Sequence, residues 1–580
     1  MRFSEFTETL ERIEREPSRN AMVSILSEFF GRLETEEVRG AVYLLQGVVE
    51  PPFKGIEFGI GEKLLVRALA ISSGRSDKVI SAEYRKLGDL GLVAEKFSES
   101  GRQRSLVELE KLGLSEVYSV LRNLAGSSGT GSQDDKIRTL AGLLGRCRTP
   151  AEAKHLARVP LGKLRLGIGD PTILDALSFW KSGDKSLRGE LEGAYNMCSD
   201  LGLVAEKFSE SGLEGVSALE IFPGNPIRPA LAERLESGAA IIGKIGACLV
   251  EAKYDGFRAQ VHKKGSRIEI FSRSLERTTE MFPEIVDSVR KLPASEVIFE
   301  GEAIGTDEKG NFLPFQKTIR RKRKYGVKEA SEKSPLKLFA FDLLYLDGTD
   351  YTKQPFSERR KKIEALFSNG GGIAPSEAIP ASTGEDIDEF FQKVVSRGLE
   401  GIIAKKLDSP YSAGARKFAW IKMKKSYTEQ GLSDTVDAVI IGYFRGKGQR
   451  TNFGFGGLLV AVLDEKEGIF KSIAKVGTGF SEEGMKAFSE LLEKSKSKEK
   501  PKNVESGLVP DFWVSPRHVV TVAADEITRS PTHSAGGGFA LRFPRIKGFV
   551  REDKLPGDAT TVSEIMSLFE IQERTRKGER

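Results

Sequence analysis

The amino-terminal part of the chain, to about residue 225, has a helical pattern of apolar and polar positions. Apolar residues recur there at spacings of three and four, which places them on one face of an α-helix. The alternation that strands show is scarce. The pattern is clearest in SEFTETLERIE, AMVSILSEFFGRL, GEKLLVRALA and KIRTLAGLLGRC. We therefore predict an all-α region over residues 1–225.

An internal repeat lies within this helical region. The segment DLGLVAEKFSESG at 89–101 recurs letter for letter at 200–212, 111 residues later. Such a repeat predicts two similar helical halves. It can also be a reused packing unit that has no direct function, and the sequence leaves both interpretations open.

The pattern changes at about residue 226. Short alternating strands such as EVIFEGEAIG, LKLFAFDLLYLDG and FAWIKMKK are separated by the helical stretches ERRKKIEALF and IDEFFQKVVSR. This mixture predicts an α+β domain over 226–428. The segments DAVIIGYF, GGLLVAVLDEKEGIFKSIAKV and FWVSPRHVVTVAADEIT predict a strand-rich domain over 429–580, a small β-barrel that ends in a helix.

Length and composition narrow the class of protein. A chain of 580 residues exceeds what one hydrophobic core usually supports, so several domains are expected. The net charge of +6, from 89 basic and 83 acidic residues, permits a polyanionic partner without requiring one. Cys147, Cys198 and Cys248 lack CxxC spacing, which argues against a zinc site or a disulfide framework and fits a reducing cytosol. Neither a signal sequence nor a membrane-spanning segment is predicted.

The sharpest local signal is EAKYDGFRAQ at 251–260, in which Lys253 lies at a predicted strand end beside an Asp-Gly turn. A lysine amine is a nucleophile only when it is deprotonated, and nearby cations or desolvation can lower its pKa enough for that. Four basic residues could supply the cations: Arg258, Arg273, Lys422 and Lys424. Taken alone, this pattern is also typical of a solvated hairpin.

Five further elements follow in an order that suits nucleotidyl transfer. They are SRSLERTT with Arg273, FEGEAIG with Glu302, FDLLYLDG with Phe341, EGIIAKK with Glu400, and SAGARKFAWIKMKK with Arg416, Lys422 and Lys424. Residues two apart on a strand share a face, so Lys422 and Lys424 point one way while Ile421 and Met423 point the other. One basic face results.

These motifs carry a specific resemblance. In this order, KYDGFR, SRS, FEGE, FDLLYLDG, EGIIAK and WIKMK resemble the motifs of the covalent nucleotidyltransferases: DNA ligases, RNA ligases and mRNA capping enzymes. With the helical front, GNPIRPALAER and RFPRIKGFVREDK, the chain is similar over nearly its whole length to the ATP-dependent DNA ligases of archaea. The resemblance implies a DNA-binding domain, an adenylation domain and an oligonucleotide-binding-fold (OB-fold) domain.

The resemblance also implies a reaction and the residues that perform it. Lys253 would attack the α-phosphorus of ATP, and the AMP would pass to a nick in double-stranded DNA during replication, repair and recombination. The implied nucleotide contacts are Glu251 to the adenine edge, Phe341 stacked on the base, Arg258 and Arg273 to ribose and phosphate, Arg416 to the nucleotide, and Lys422 to the α-phosphate with Lys424 as helper.

Mg²⁺ and a closure motif complete the implied site. Glu302 and Glu400 are carboxylates suited to Mg²⁺, and Glu302 could also hold the ribose. The residues Arg551, Asp553 and Lys554 match a motif that swings over the active site and orients the pyrophosphate leaving group. Taken without the other motifs, Phe341 would fit plain core packing, and Glu400 would fit a solvated charge at the start of a strand. The basic cluster with Arg551 and Lys554 would then fit a solvated face.

Three other segments bear on partners. The run GSSGTGS precedes a helix opened by Ser132 or Gln133, which suits either a phosphate contact or an ordinary loop, with Lys136 as the deciding residue. IRRKRKYG at 319–326 has five consecutive basic residues, typical of a phosphate-binding or a solvated loop. Gln103 lies where archaeal relatives can contact a sliding clamp, but the paired aromatic residues are missing.

Rival classes are an RNA ligase or capping guanylyltransferase, which the long helical front disfavours, and a non-catalytic DNA-binding scaffold, which the full motif set disfavours. NAD as the donor is disfavoured because the zinc-ligating cysteines of NAD-dependent ligases are absent from the sequence. We expect a cytoplasmic, nucleoid-associated monomer that closes around DNA. The sequence does not decide whether ADP or GTP can replace ATP.

Overall fold

A computed structural model describes residues 1–100, 111–127, 129, 131–162, 164–307, 312–313, 318, 335–368, 371–424, 435–446, 454–497, 499–551 and 554–577. The chain forms two compact units. The first comprises Met1–Glu233, Lys244–Ser382 and Ile403–Ile421, and the second comprises Arg234–Gly243, Thr383–Ile402 and Lys422–Arg580. The division into three domains at residues 225 and 428 stays a prediction. No helix in the described ranges is both long and apolar enough to span a bilayer.

The amino-terminal region is helical, as its apolar spacing predicts. Its α-helices are α1 Phe3–Arg15, α2 Arg19–Phe30, α3 Thr35–Gln46, α4 Glu62–Ser73, α5 Asp77–Leu87, α6 Leu90–Ser100, α7 Leu114–Gly126, α8 Ser132–Arg146, α9 Pro150–Arg158, α10 Asp170–Ser182, α11 Arg188–Cys198 and α12 Leu201–Ser217. Short 3₁₀ turns lie at Pro52–Lys54 and Val159–Leu161. The apolar faces of these helices meet in one core rich in buried phenylalanine.

The repeated segment uses the same packing solution twice. Asp89 precedes α6 and accepts two hydrogen bonds from the Arg158 guanidinium at 3.1 and 2.6 Å. Asp200 precedes α12, caps it by accepting from the Leu203 backbone at 2.9 Å, and pairs with Arg39 at 3.2 Å. Each aspartate therefore fixes the start of its helix to an arginine on another helix.

The glycine two residues after each aspartate completes this unit. A Cβ at Gly91 would lie 2.7 Å from the Arg158 side chain, and a Cβ at Gly202 would overlap the Tyr43 ring. No side chain larger than hydrogen fits between these helices. The geometry therefore supports the interpretation of the repeat as a packing unit.

The central region alternates strands and helices, as expected for an α+β domain. Its strands are β1 Leu231–Arg234, β2 Cys248–Lys253, β3 Phe257–Lys264, β4 Arg267–Ser272, β5 Glu296–Gly305, β6 Leu336–Leu346, β7 Thr349–Asp350, β8 Ile373–Pro375, β9 Ala378–Ala381, β10 Gly401–Lys406 and β11 Arg416–Lys424. Its helices are α13 Gly238–Ile245, α14 Pro283–Arg290, α15 Phe356–Leu366 and α16 Gly384–Ser396, with a 3₁₀ turn at Thr279–Met281.

These strands form two sheets. One has the order β1-β11-β10-β2-β9, and the other has the order β4-β3-β5-β6-β7, with β8 added parallel to β6. The chain passes from the first sheet to the second between Lys253 and Phe257, because β2 and β3 belong to different sheets. The segment that carries the predicted nucleophile is thus the crossing point between the sheets.

The carboxy-terminal region is rich in strands. They are β12 Val436–Phe444, β13 Gly457–Asp464, β14 Ile469–Val476, β15 Lys496–Ser497, β16 Val504–Glu505, β17 Phe512–Val514, β18 Val519–Ala523, β19 Glu526–Arg529, β20 Phe539–Arg542 and β21 Arg545–Val550. The helices are α17 Glu482–Lys494 and α18 Val562–Lys577, with 3₁₀ turns at Ala535–Gly537 and Pro556–Asp558.

Eight of these strands form one sheet, in which β15-β17-β12-β13-β14-β16 is the main path and β18 joins β12 to β21. The pair β19–β20 is separate, and within the described ranges the ladder does not close on itself. The strand-rich class and the terminal helix are confirmed, whereas a closed barrel is not seen. Helix α17, capped by Ser481, was not expected.

Candidate active site

Lys253 is the last residue of β2 and is half-buried. Its predicted position at a strand end is confirmed, but the following Asp-Gly pair does not close a hairpin, because β2 and β3 lie in different sheets. Residues two apart on a strand share a face, so Glu251 and Lys253 point to the same side of β2. The chain therefore presents a carboxylate and an amine together beside the crossing.

Gly256 lies where the crossing enters the second sheet. A Cβ there would overlap the carbonyl oxygen of Ala303, so the backbone approach requires glycine. The backbone N–H of Gly256 donates to the Glu302 carboxylate at 3.1 Å. Glu302 on β5 is thus tied directly to the turn that follows Lys253.

Arg258 is fixed inside the protein by partners on three sides. Its guanidinium donates to both oxygens of Glu300, at 3.2 and 2.8 Å, and to the Ala230 carbonyl at 2.8 Å. The Tyr411 hydroxyl donates to Glu300 at 2.7 Å. Burial and the Glu300 carboxylate raise the pKa of Tyr411 well above its ordinary value, so it remains a donor. These contacts hold the arginine rigidly.

Phe341 is the extra residue of a β-bulge in β6. Its neighbours Ala340 and Asp342 pair with the consecutive residues Gly301 and Glu300 of β5, which leaves Phe341 without a direct partner. A bulge re-aims the side chain that it carries. The half-buried ring meets Trp420 edge to face at 5.9 Å, and the Arg258 guanidinium lies 5.4 Å from its centroid. The ring also packs against the buried cluster that contains Tyr411 and Trp420, so its stacking on a base stays a prediction.

Glu251 is almost fully buried and is paired with two cations. One carboxylate oxygen accepts from Arg360 at 3.1 Å, and the other accepts from the Lys405 ammonium at 2.8 Å. Burial lowers the pKa of Lys405, and the Glu251 and Asp342 carboxylates oppose that shift. Both cations come from segments more than a hundred residues away along the chain.

Two predicted arginines in the first unit have fewer described contacts. Arg273 is exposed in the turn that follows β4. Arg416 begins β11, and its side chain lies outside the described part of the structure. Their roles at the nucleotide stay predictions.

Glu400, Lys422 and Lys424 fall in the second unit. The Lys424 ammonium forms an ion pair with the Glu400 carboxylate. Lys422 and Lys424 are half-buried, while Ile421 and Met423 are buried on the other face of β11. The predicted alternation along this strand is confirmed.

Two residues of the predicted closure motif share one carboxylate in the second unit. The Lys554 ammonium donates to Asp437 at 2.6 Å, and a guanidinium nitrogen of Arg551 lies 3.7 Å from the other Asp437 oxygen. Arg551 also donates to the Thr521 hydroxyl at 3.3 Å. Asp553 lies outside the described residues.

Lys136, the deciding residue of the GSSGTGS segment, is buried and donates to the Phe58 carbonyl at 2.8 Å. Helix α8 begins at Ser132, as expected. The ordinary-loop interpretation is therefore favoured.

The basic run at 319–326 and Gln103 lie outside the described residues. The one cluster of three metal-ligand side chains found in the described ranges, Glu11, Glu14 and His155, is already occupied by the Lys154 ammonium.

The sequence did not reveal the residues that hold this site together. They are Glu300, Arg360, Lys405, Tyr411 and Trp420, which are buried around Glu251, Arg258 and Phe341. A charged residue inside a strand of otherwise apolar pattern is the available signal, and EGIIAKK, which ends in two lysines, carries it for Lys405. Its partner could not be inferred without the topology.

Three consecutive parts of the chain match protein families of one enzyme class. Residues 2–178 match the DNA ligase N terminus, 229–424 the ATP dependent DNA ligase domain, and 451–554 the ATP dependent DNA ligase C terminal region. The chain belongs to the ATP-dependent DNA ligases. The enzyme class expected from the motif order, nick sealing with ATP, is confirmed for this ligase. The RNA ligase and capping classes are set aside.

Full-length relatives agree with this assignment. A probable DNA ligase of Dictyoglomus thermophilum is 48% identical and a DNA ligase of Hyperthermus butylicus is 40% identical, each over 100% of this chain and 99% of its own length. DNA ligase 2 of Thermofilum pendens is 39% identical over 99% of this chain and 98% of its own. The ligase is therefore of the archaeal type, as the sequence predicts.

A solved structure named Pmar-Lig_PreS3 has the same fold. It superposes with a TM-score of 0.55 at 18% identity, over 94% of this chain and 99% of its own. The helical front, the central strands and helices and the strand-rich end thus belong to a fold that this solved structure shares.

Proposed function

We propose that this ligase seals nicks in double-stranded DNA through an AMP-lysine intermediate on Lys253. The Lys253 amine attacks the α-phosphorus of ATP, a phosphoramidate bond forms, and pyrophosphate leaves. The AMP then passes to the 5′-phosphate at a nick, and the adjacent 3′-hydroxyl displaces it. The observation that carries this proposal is the position of Lys253 at the crossing between two sheets, beside the fixed Glu251 and Glu302 carboxylates.

The remaining roles are those that the motif resemblance implies. Glu251 receives the amino edge of adenine, and Phe341 stacks on the base from its bulge. Arg258 and Arg273 serve the ribose and phosphates, although Arg258 is already hydrogen-bonded to Glu300 and so acts from a fixed position. Arg416 contacts the nucleotide, and Lys422 contacts the α-phosphate with Lys424 as its helper. Since every step is a nucleotidyl or phosphoryl transfer, positioning supplies much of the catalysis.

The proposed ligands of Mg²⁺ are Glu302 in the first unit and Glu400 in the second. Glu302 and Glu400 offer carboxylate oxygens, the hard ligands that this ion prefers. Both are half-buried, Glu302 within β5 and Glu400 directly before β10. When bound, the ion would neutralise phosphate charge and orient the pyrophosphate leaving group. Glu302 keeps its place through the Gly256 amide, and Glu400 keeps its place through Lys424.

The second unit supplies the closure motif and a surface for DNA. We propose that its sheet is part of an OB-fold barrel and that Arg551, Asp553 and Lys554 act on the pyrophosphate end of ATP. Nicked double-stranded DNA is the partner, and the ligase acts as a monomer. We also propose a sliding-clamp contact through Gln103. In a pull-down with the sliding clamp, Gln103→Ala and Leu106→Ala should weaken capture of the ligase, and capture equal to that of the unmutated chain rejects the contact.

Covalent labelling tests the proposed function. Incubation of the full chain with α-labelled ATP and Mg²⁺ should label Lys253, and Lys253→Ala should abolish the label and the joining of nicked DNA. Lys264→Ala, which removes an exposed lysine from the end of β3, is the matched control and should label normally. Undiminished label in Lys253→Ala, or an adduct located on another residue by mass spectrometry, contradicts the proposal.

A further inference from the structure

Arg360 is a buried cation with four hydrogen bonds near the proposed nucleotide site. It lies on α15, and its guanidinium contacts two other segments of the first unit. It donates to Glu251 on β2 at 3.1 Å, to the Ser376 hydroxyl at 2.8 Å and to the Ser376 carbonyl at 2.8 Å. Its Nε donates to Glu364 at 2.7 Å within the helix. The planar group therefore has little freedom to turn.

These contacts place Glu251 with respect to the neighbouring strand. Glu251 pairs in register with Ala378 of β9, and Ser376 lies two residues earlier, between β8 and β9. Arg360 thus joins the side chain of one strand to the backbone that leads into the next. If Arg360 is lost, Glu251 keeps only Lys405 among its described charged partners.

Lys405 connects Glu251 to Phe341. Its ammonium donates to the Glu251 carboxylate at 2.8 Å and to the Phe341 carbonyl at 2.6 Å, and it lies 4.2 Å from the centre of the Trp420 ring. Phe341 and Glu251 are the residues that the proposed function assigns to the face and the edge of the base. One buried lysine therefore links the two residues, while Arg360 holds Glu251 from the other carboxylate oxygen.

The ion pairs of Glu251 with Arg360 and Lys405 also decide which group of a nucleobase Glu251 can bind. A carboxylate offers about four acceptor positions and no donor, and the two cations use one position on each oxygen. The remaining positions attract the exocyclic amine of adenine. Guanine carries an acceptor oxygen at the equivalent place, so two acceptors would face each other without a hydrogen between them and both would stay unpaired.

We propose that Arg360 is a positioning residue that sets the nucleobase preference of the ligase, because it holds Glu251 as an oriented acceptor for the amine of adenine. This inference rests on the proposed function. Arg360 touches no reacting atom. Its removal should therefore change the choice between ATP and GTP more than it changes the chemistry at Lys253.

The test compares ATP and GTP as donors for covalent labelling of the full chain, with kcat and KM measured separately for each nucleotide. Arg360→Met should lower kcat/KM for ATP by about tenfold or more, mainly through KM, and should lower that for GTP by less than about threefold. The ratio of kcat/KM for ATP to kcat/KM for GTP should thus decrease. Arg360→Lys, which can still pair with Glu251, should recover part of the preference.

Lys361→Met is the matched control, since it removes an exposed cation from the adjacent position of the same helix. It should keep the wild-type ratio. An unchanged ratio in Arg360→Met, with its folding verified by thermal unfolding, overturns the inference. If Arg360→Met does not fold, Ser376→Ala decides: it removes one Arg360 contact and should narrow the ratio at least about twofold, and no change overturns the inference.

The two proposals fail in different ways. Absence of any adduct on Lys253 in the wild-type chain, with either nucleotide, refutes the proposed function. A normal Lys253 adduct with an unaltered nucleotide ratio in the Arg360 and Ser376 variants refutes the positioning role alone.

Discussion

The guanidinium of Arg359 and the carboxylate of Asp342 form a fully buried ion pair, with Nε 2.6 Å from Oδ1 and a terminal nitrogen 3.2 Å from Oδ2. Arg359 also donates to the carbonyls of Gln354 and Ser409, at 2.6 and 2.9 Å. Asp342 directly follows the bulged Phe341, so the pair anchors the bulge to α15. Loss of either partner leaves a buried charge without the charge that hydrogen-bonds to it.

Arg359→Met should therefore destabilise the first unit by about 3–5 kcal/mol, since it leaves the Asp342 carboxylate without its ionic partner. Denaturant unfolding measures this loss of stability. The signal is the fluorescence of Trp420, in a chain that keeps Trp420 as its only tryptophan. Lys362→Met on the exposed face of the same helix should change stability by less than about 0.5 kcal/mol. Arg359→Met combined with Asp342→Asn should recover part of the loss. A loss under about 1 kcal/mol in the single variant contradicts the expectation.

Gly202 provides a second test, in the helical region. Gly202→Ala forces a methyl group into the Tyr43 ring and should cost about 1–3 kcal/mol. Gly142→Ala is the control: this helical glycine in α8 is exposed with nothing within 4 Å of its added Cβ, so the change should stabilise by about 0.5–1 kcal/mol. Trp180, which contacts Phe208 of α12, reports the unfolding. Equal effects of both substitutions would show that close packing is not the reason for the repeated glycine.

Local patterns predict the elements of this fold well. The alternation in EVIFEGEAIG is the strand β5 Glu296–Gly305, and the alternation in WIKMK correctly assigns Ile421 and Met423 to the buried face. These signals depend only on the period of a strand and on burial of one face. The place of Lys253 at a strand end follows from the same reasoning.

The sequence patterns do not predict contacts between residues that are far apart along the chain. The bulge at Phe341 depends on the register between β5 and β6, and the Arg360–Glu251 pair joins residues 109 positions apart. The sequence EGIIAKK does not say which of its two lysines is buried. The structure shows that it is Lys405, because its neighbours Glu251 and Asp342 offset the cost of desolvation.

Lys136 separates a structural role from a DNA contact. Because its ammonium is buried against the Phe58 carbonyl, Lys136→Met should change the affinity for nicked DNA by less than about twofold and leave the salt dependence unchanged. Arg138→Met removes the same charge from the exposed side of α8 and controls for net charge. A lysine bound to phosphate would instead weaken binding clearly and reduce the slope of log K against log salt by about one. Binding titrations at several salt concentrations distinguish the two outcomes.

Asp437 offers a test of the contacts that hold the closure motif. Burial alone would raise the pKa of this carboxyl, but hydrogen bonds from Lys554 and Thr521 outweigh burial and lower the pKa below its ordinary value of 3.8. A lowered pKa in the folded state means that the carboxylate stabilises the fold fully above pH 3.8 and loses this contribution as the pH falls through the folded-state pKa.

Asp437→Asn should therefore lower the stability of the second unit by about 1 kcal/mol near neutral pH, and the difference from wild type should shrink below about pH 4. Thermal unfolding followed through Trp513, as the only tryptophan, measures the difference at each pH. Glu490→Gln, on the unrelated helix α17, is the control and should show no such trend, because its carboxylate has no described ion pair. A constant difference between wild type and Asp437→Asn from pH 7 to pH 3 would mean that the Lys554 pair contributes nothing to the fold.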